Sequence, residues 1–164
     1  MNSEELIEKV SKIDSYVLHD DIRLYSKYVS RLLPGTTVLD VGTGKGKSAV
    51  ALSLANPEVQ VLTVDDGSAA FARGWAVDQK DYENKMAELF KEYGIENCTF
   101  YFGDIFDMAF KNRIPYVDLF HLDDETLEAD ILAAIVPIVK INGIILMRNY
   151  NRCKERVDET CRGY

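Results

Sequence analysis

Short apolar runs alternate along this chain with longer segments in which apolar residues recur every three or four positions. The short runs are Thr37–Val41, Val59–Val64, Thr99–Phe102, Val117–Leu122 and Ile144–Met147. They are nearly continuous in Val, Ile, Leu and Phe, which predicts strands covered on both faces. The intervening spacing predicts helices over 47–55, 78–93 and 126–140, with a short one near 106–110. Two further helices are expected before the first strand. One runs from Ser3 to Ile13 with Glu4 and Glu5 in its first turn, where the helix dipole favours acids. The other starts at Asp20 or Asp21, places Ile22, Tyr25, Val29 and Leu32 or Leu33 on one face, and is stopped by Pro34-Gly35. Alternation of strand and helix predicts an α/β fold: a Rossmann-like, doubly wound, mainly parallel sheet of about five strands, with helices on both faces and two N-terminal helices in front. No repeat or linker interrupts the pattern, so one domain over 1–164 is expected.

Composition narrows the function classes. The 27 acidic residues outnumber 19 Lys and Arg, giving a formal charge of −8, and such a surface repels a phosphate backbone. Nucleic acid is therefore not expected as a partner. The basic residues of the C-terminal segment, Arg148, Arg152, Lys154, Arg156 and Arg162, are interleaved with acids and read as a solvated helix face. The longest apolar stretch, 131–147, is broken by Pro137, Lys140, Asn142 and Gly143, so no membrane partner is expected. Three cysteines without a C-x-x-C pair imply neither a disulfide framework nor a zinc site, and the first residues are acidic where a secretory signal is basic. A cytoplasmic protein is expected.

The richest segment is Asp40-Val41-Gly42-Thr43-Gly44-Lys45-Gly46-Lys47-Ser48. A buried strand runs into alternate glycines and then into a helix. Glycine permits positive φ and close approach of the backbone to a ligand, and the helix N-terminus supplies N–H donors. A dinucleotide fingerprint needs its third glycine where Lys47 stands, and a P-loop needs its first where Val41 stands. What remains, D-x-G-x-G-x-G, resembles the first motif of class I S-adenosylmethionine-dependent methyltransferases. Val61-Leu62-Thr63-Val64-Asp65-Asp66, Phe102-Gly103-Asp104-Ile105 and Asp118-Leu119-Phe120-His121-Leu122-Asp123 follow in the family's order.

That resemblance, covering roughly residues 20 to 160, implies the cofactor S-adenosyl-L-methionine and a set of site residues. Asp40, Gly42, Thr43, Gly44 and Gly46 would form the cofactor turn, Asp65 and Asp66 would meet the ribose hydroxyls, and Asp104 and Ile105 the adenine. Asp104 reads equally as the cap of a short helix. Asp123 and His121 are the candidate catalytic residues, although His121 reads as readily as a core histidine. Tyr16 and His19 are candidates for a lid, with packing as the plainer reading. The glycine turn and Tyr150 also resemble a subgroup of small O-methyltransferases, many of which hold a metal on acids after the fourth and fifth strands. Here Asp123-Asp124-Glu125 is a shortened counterpart of the first acidic segment, and Arg148-Asn149 stands in place of the second. A cation beside a divalent metal is unfavourable, so no metal is expected.

The function implied is methyl transfer to a small molecule, at oxygen if the subgroup applies. A P-loop-like NTPase and a non-catalytic binding module are the alternatives. The family's closing C-terminal hairpin has no counterpart in this sequence, which would leave strand five on the sheet edge; pairing with a second copy, a longer protein of which this is a fragment, and shielding by the helix from Asn151 to Arg162 are the readings it leaves open.

Overall fold

The strands β1 (Thr37–Val41), β2 (Gln60–Asp65), β3 (Cys98–Phe102), β4 (Val117–Leu122) and β5 (Val139–Met147) join in the order β3-β2-β1-β4-β5. All four pairings are parallel. The structure is a computed structural model and describes residues 1–107, 114, 116–123, 128–148 and 150–162. Among these, the helices are α1 (Ser3–Val10), α2 (His19–Val29), α3 (Lys47–Ala55), α4 (Ser68–Ala72), α5 (Gln79–Tyr93), α6 (Glu128–Ile135) and α7 (Tyr150–Cys161). None of them is long and apolar enough to cross a membrane.

Strand order reverses between β1 and β4, and in such sheets the crevice at that switch lies beyond the carboxyl ends of the strands. Side chains alternate between two cores, as the period of a strand requires. Val38, Val61 and Leu119 face Leu6, Ile22, Val29, Val50 and other residues of α1, α2 and α3. Leu39, Val64, Phe120 and Leu122 face Ile131, Leu132 and Ile135 of α6 and Val157 of α7. The N-terminal helices therefore complete one face of the sheet and pack on α3.

Several elements differ from expectation: α1 ends at Val10 and α2 at Val29, each a turn short. The helix expected over 126–140 ends at Ile135 and passes through a single 3-10 turn, Val136–Ile138, because Pro137 has no N–H to continue it. β5 consequently begins at Val139, well before Ile144, and its register on β4 slips between Val117 and Leu119. α4, unexpected from the sequence, starts where Asp66 Oδ1 accepts from the Ser68 N–H at 2.8 Å. The short helix expected near 106–110 falls mostly on residues outside the described ones. β5 lies on the sheet edge, with Ile141 exposed, and α7 packs against α6.

Candidate functional site

The glycine turn after β1 is held from several sides. Gly42 N–H donates to the Val64 carbonyl at 3.0 Å, which carries the β1 to β2 ladder one step further. Gly44 N–H donates to Asp65 Oδ2 at 2.9 Å, and the Tyr82 hydroxyl of α5 donates to the Gly44 carbonyl at 2.7 Å. Asp65 Oδ1 accepts from Gly67 N–H at 2.7 Å. Burial pushes the Asp65 carboxyl above its ordinary range, against the two backbone N–H groups that pull it down.

Two of the glycines meet different needs. Gly44, at φ 51°, has nothing within 4 Å of where a Cβ would stand, so its backbone faces open space. Gly46, at φ 86°, would put a Cβ 2.4 Å from Leu89 Cδ2 and 3.2 Å from the Met86 side chain. Its glycine answers to α5, not to a ligand. No side chain caps the N-terminus of α3 that follows.

The opposite wall is built from the ends of β4 and β5 and from the segment joining α1 to α2. Asp123 accepts from Arg148 Nη1 at 2.9 Å. Burial raises the Asp123 carboxyl while Arg148 opposes the shift. The same guanidinium reaches Asp21 on α2 at 3.4 Å and donates to the Tyr16 carbonyl. Tyr16 belongs to a strap, residues 14–17, whose ends are fixed by the buried side chains of Ile13 and Val17. Asp14 pairs with Lys45 of the glycine turn at 2.5 Å, and the Arg73 guanidinium lies 5.0 Å from the centre of the Tyr16 ring. The strap is thus tied to the glycine turn, to the segment after α4 and to the end of β5.

Between these walls lies a cavity of about 960 Å³. Of the residues expected at the site, Gly42, Thr43, Gly44, Asp65, Asp66, Asp104, Ile105 and Asp123 line it. Asp104 also caps the turn that follows, accepting from Phe106 N–H at 2.8 Å. Asp40, Gly46 and His121 are not on the lining. Asp40 and His121 sit on the face of the sheet beneath α2 and α3, almost wholly buried and bonded to each other, so the expectation that His121 meets a substrate is corrected to a core histidine. Asp124 and Glu125 lie outside the described residues. Among the described residues no three His, Cys, Asp or Glu side chains gather as metal ligands. Sequence reasoning missed Tyr82, Thr63 and Arg73, whose parts depend on contacts between distant segments. The strap had a partial signal in Tyr16.

The wall formed by the glycine turn, the start of α3 and Asp65 suits a ligand carrying a carboxylate and vicinal hydroxyls. Uncapped helical N–H groups favour the anion, and a carboxylate at a strand end accepts from hydroxyls. A family model described as a methyltransferase domain matches residues 32–164. No curated protein matches the sequence. Among solved structures, the S-adenosylhomocysteine-bound methyltransferase PaMTH1 of Podospora anserina superposes with a TM-score of 0.69 at 17% identity, over 98% of this chain and 77% of that one. Precorrin-6y C5,15-methyltransferase of Geobacter metallireducens gives 0.68 at 13% identity, over 93% and 72%. A Klebsiella pneumoniae protein assigned as an O-methyltransferase gives 0.63 at 15% identity, over 98% and 74%.

Proposed function

Because the chain belongs to the methyltransferase-domain family, whose cofactor is S-adenosyl-L-methionine, we propose that it transfers a methyl group to an oxygen of a small molecule seated between the strap and the ends of β4 and β5. The observation that carries this reading is the cavity itself, with the glycine turn and Asp65 on one side and the Asp123–Arg148 pair on the other. The choice of oxygen rests on the likeness to O-methyltransferases.

When bound, the cofactor supplies a sulfonium methyl group that is already electrophilic, so alignment is the protein's main task. Orientation of this kind contributes roughly 7 kcal/mol or more. In this reading the backbone of Gly42 to Gly44 and the start of α3 hold the carboxylate end of the cofactor, while Asp65 accepts from the ribose hydroxyls. Asp66, Asp104 and Ile105 are assigned to the nucleoside end. Asp123 is the candidate base for a protonated acceptor, a role typically worth on the order of 10² to 10⁴ in rate. Burial raises its affinity for a proton, which brings it nearer to that task, and Arg148 opposes the shift.

Titration calorimetry with S-adenosylhomocysteine, and with ATP as the control for a nucleotide-triphosphate site, tests the reading. Wild-type protein is expected to bind the first and not the second. Asp65→Ala is expected to weaken binding by roughly 1.5 to 3 kcal/mol, the scale of hydrogen bonds to a charged group. Binding of ATP alone would sink the proposal.

We also propose that two copies pair along β5. That edge strand carries Ile141 and Ile145 exposed, and within 144–147 neither charge nor proline blocks pairing. A sedimenting monomer at tens of micromolar would remove this idea.

A further inference from the structure

Three neighbouring strands carry a polar residue at one register. The ladders place Thr63 of β2 beside Asp40 of β1, and Asp40 beside His121 of β4. All three are buried, in a face whose other positions, Val38, Val61 and Leu119, are apolar. A carboxylate in such a place is costly unless donors surround it, and Asp40 is surrounded. Its Oδ2 accepts from Thr63 Oγ1 at 2.7 Å and from Ser48 Oγ at 3.0 Å, and its Oδ1 lies 2.6 Å from His121 Nδ1.

Each donor leads elsewhere. Ser48 stands in the first turn of α3, on the cavity wall. Thr63 gives its single proton to Asp40, so the Thr43 hydroxyl, 2.6 Å away, must donate to Thr63. Thr43 is part of the glycine turn. On the other side, an ionised Asp40 only accepts, which puts the proton of His121 on Nδ1. Nε2 lies 2.8 Å from the Tyr25 hydroxyl of α2, within hydrogen-bond reach. The edge of one ring meets the face of the other at a centroid distance of 4.9 Å, fixing the imidazole plane.

We propose that Tyr25 and His121 are positioning residues for the cofactor turn: Tyr25 orients His121, His121 orients Asp40, and Asp40 sets Ser48 and, through Thr63, Thr43. The proposal rests on the reading of the cavity as the S-adenosylmethionine site. It makes the shape of the turn depend on the seating of α2, the helix that begins directly after the strap. The glycine turn and the roof of the cavity then settle together.

The two ring nitrogens are separated by substitution, because an Asn side-chain amide falls near Nδ1 and a Gln amide near Nε2. His121→Asn keeps the donor to Asp40, His121→Gln gives it up, and Tyr25→Phe frees the ring. S-adenosylhomocysteine affinity is measured by calorimetry, the thermal midpoint by scanning calorimetry, and the Thr43 and Gly44 amide resonances by NMR of the ligand-free protein. The expected result is that H121Q weakens binding about tenfold, the equivalent of about 1.4 kcal/mol, with Y25F weakening it less and H121N restoring it to within about threefold. The Thr43 and Gly44 resonances move in H121Q and return in H121N, whatever the thermal midpoints do. Steady-state kinetics show the loss in KM for the methyl donor and not in kcat. Affinities that fall in step with the thermal midpoint, equally for Asn and Gln, overturn the proposal. So do turn resonances that stay fixed in H121Q. If wild-type protein binds no S-adenosylhomocysteine, the cofactor reading fails with its consequence here, and the ligand-free resonances still report whether His121 shapes the turn.

Discussion

The two walls of the cavity are held by different kinds of force. On the glycine side the partners are mostly backbone: Gly42 to Val64, Gly44 to Asp65, Gly103 N–H to the Asp65 carbonyl, and beneath them the buried carboxylate of Asp40. On the strap side the ties are charged side chains, Arg148 to Asp123 and Asp21, Lys45 to Asp14, and Arg73 over Tyr16. Backbone donors cannot rotate away and salt hardly screens buried pairs, whereas exposed ion pairs weaken with ionic strength. A rigid wall suits a ligand that never changes. A charged and partly exposed wall suits one that enters and leaves.

The largest expected effect sharpens the rigid side. Gly46→Ala forces a side chain into a left-handed residue and onto Leu89, and strain and overpacking together are expected to cost about 2 to 4 kcal/mol in urea unfolding. Gly44→Ala keeps only the strain, about 1 to 2 kcal/mol, but puts its methyl group into the cavity. The first variant should lose stability more than affinity, and the second affinity more than stability. Equal effects of both on unfolding would show that the two glycines are not divided in this way.

The same contrast explains what the sequence reveals. β1, β4, α3 and the start of α5 follow from local pattern, and Asp78, which caps α5 by accepting from Asp81 N–H, is a local signal as well. Gly42, Gly44 and Asp65, which line the cavity, were legible because the turn and the strand end are each marked by contiguous residues. His121 was half legible: its alternation with Leu119 left a core position and a substrate contact equally open, and nothing local names Asp40 and Tyr25 as its partners. The strap was the least legible, since Asp14, Tyr16 and Arg148 meet only after the whole sheet has formed. α4 was missed because five residues leave too little periodicity to detect.

A middle-sized effect belongs to Arg148, the best buried of the charged ties. Arg148→Met leaves the half-buried Asp123 without its cation, which is expected to cost about 1 to 3 kcal/mol at pH 7. Asp123 already holds its proton more tightly than a free carboxyl, chiefly through burial, and losing Arg148 raises that affinity further. A carboxyl raised in the folded state is most favourable when protonated, and that contribution is lost as pH rises through the folded value. The deficit of the variant should therefore be small near pH 4 and grow toward pH 7. Urea unfolding at several pH values measures it, and a deficit that shrinks with rising pH would contradict the assigned pair.

The smallest effect tests the most exposed tie. Asp14 is pulled below the ordinary carboxylate range first by its hydrogen bond from Lys45 and then by that charge, yet Asp14 stands largely in water and Lys45 is partly exposed. Such pairs contribute little to stability, so Asp14→Asn should unfold with the wild type within error. Its consequence lies in the strap instead. With one tie to the glycine turn removed, S-adenosylhomocysteine should leave the cavity faster, by less than about threefold, and the difference from wild type should vanish near 1 M salt, where screening reaches about 3 Å. Stopped-flow release at low and high salt reads this directly. A rate difference that persists at high salt would mean that Asp14 acts on the ligand itself, and that the exposed wall is less loosely tied than its charges imply.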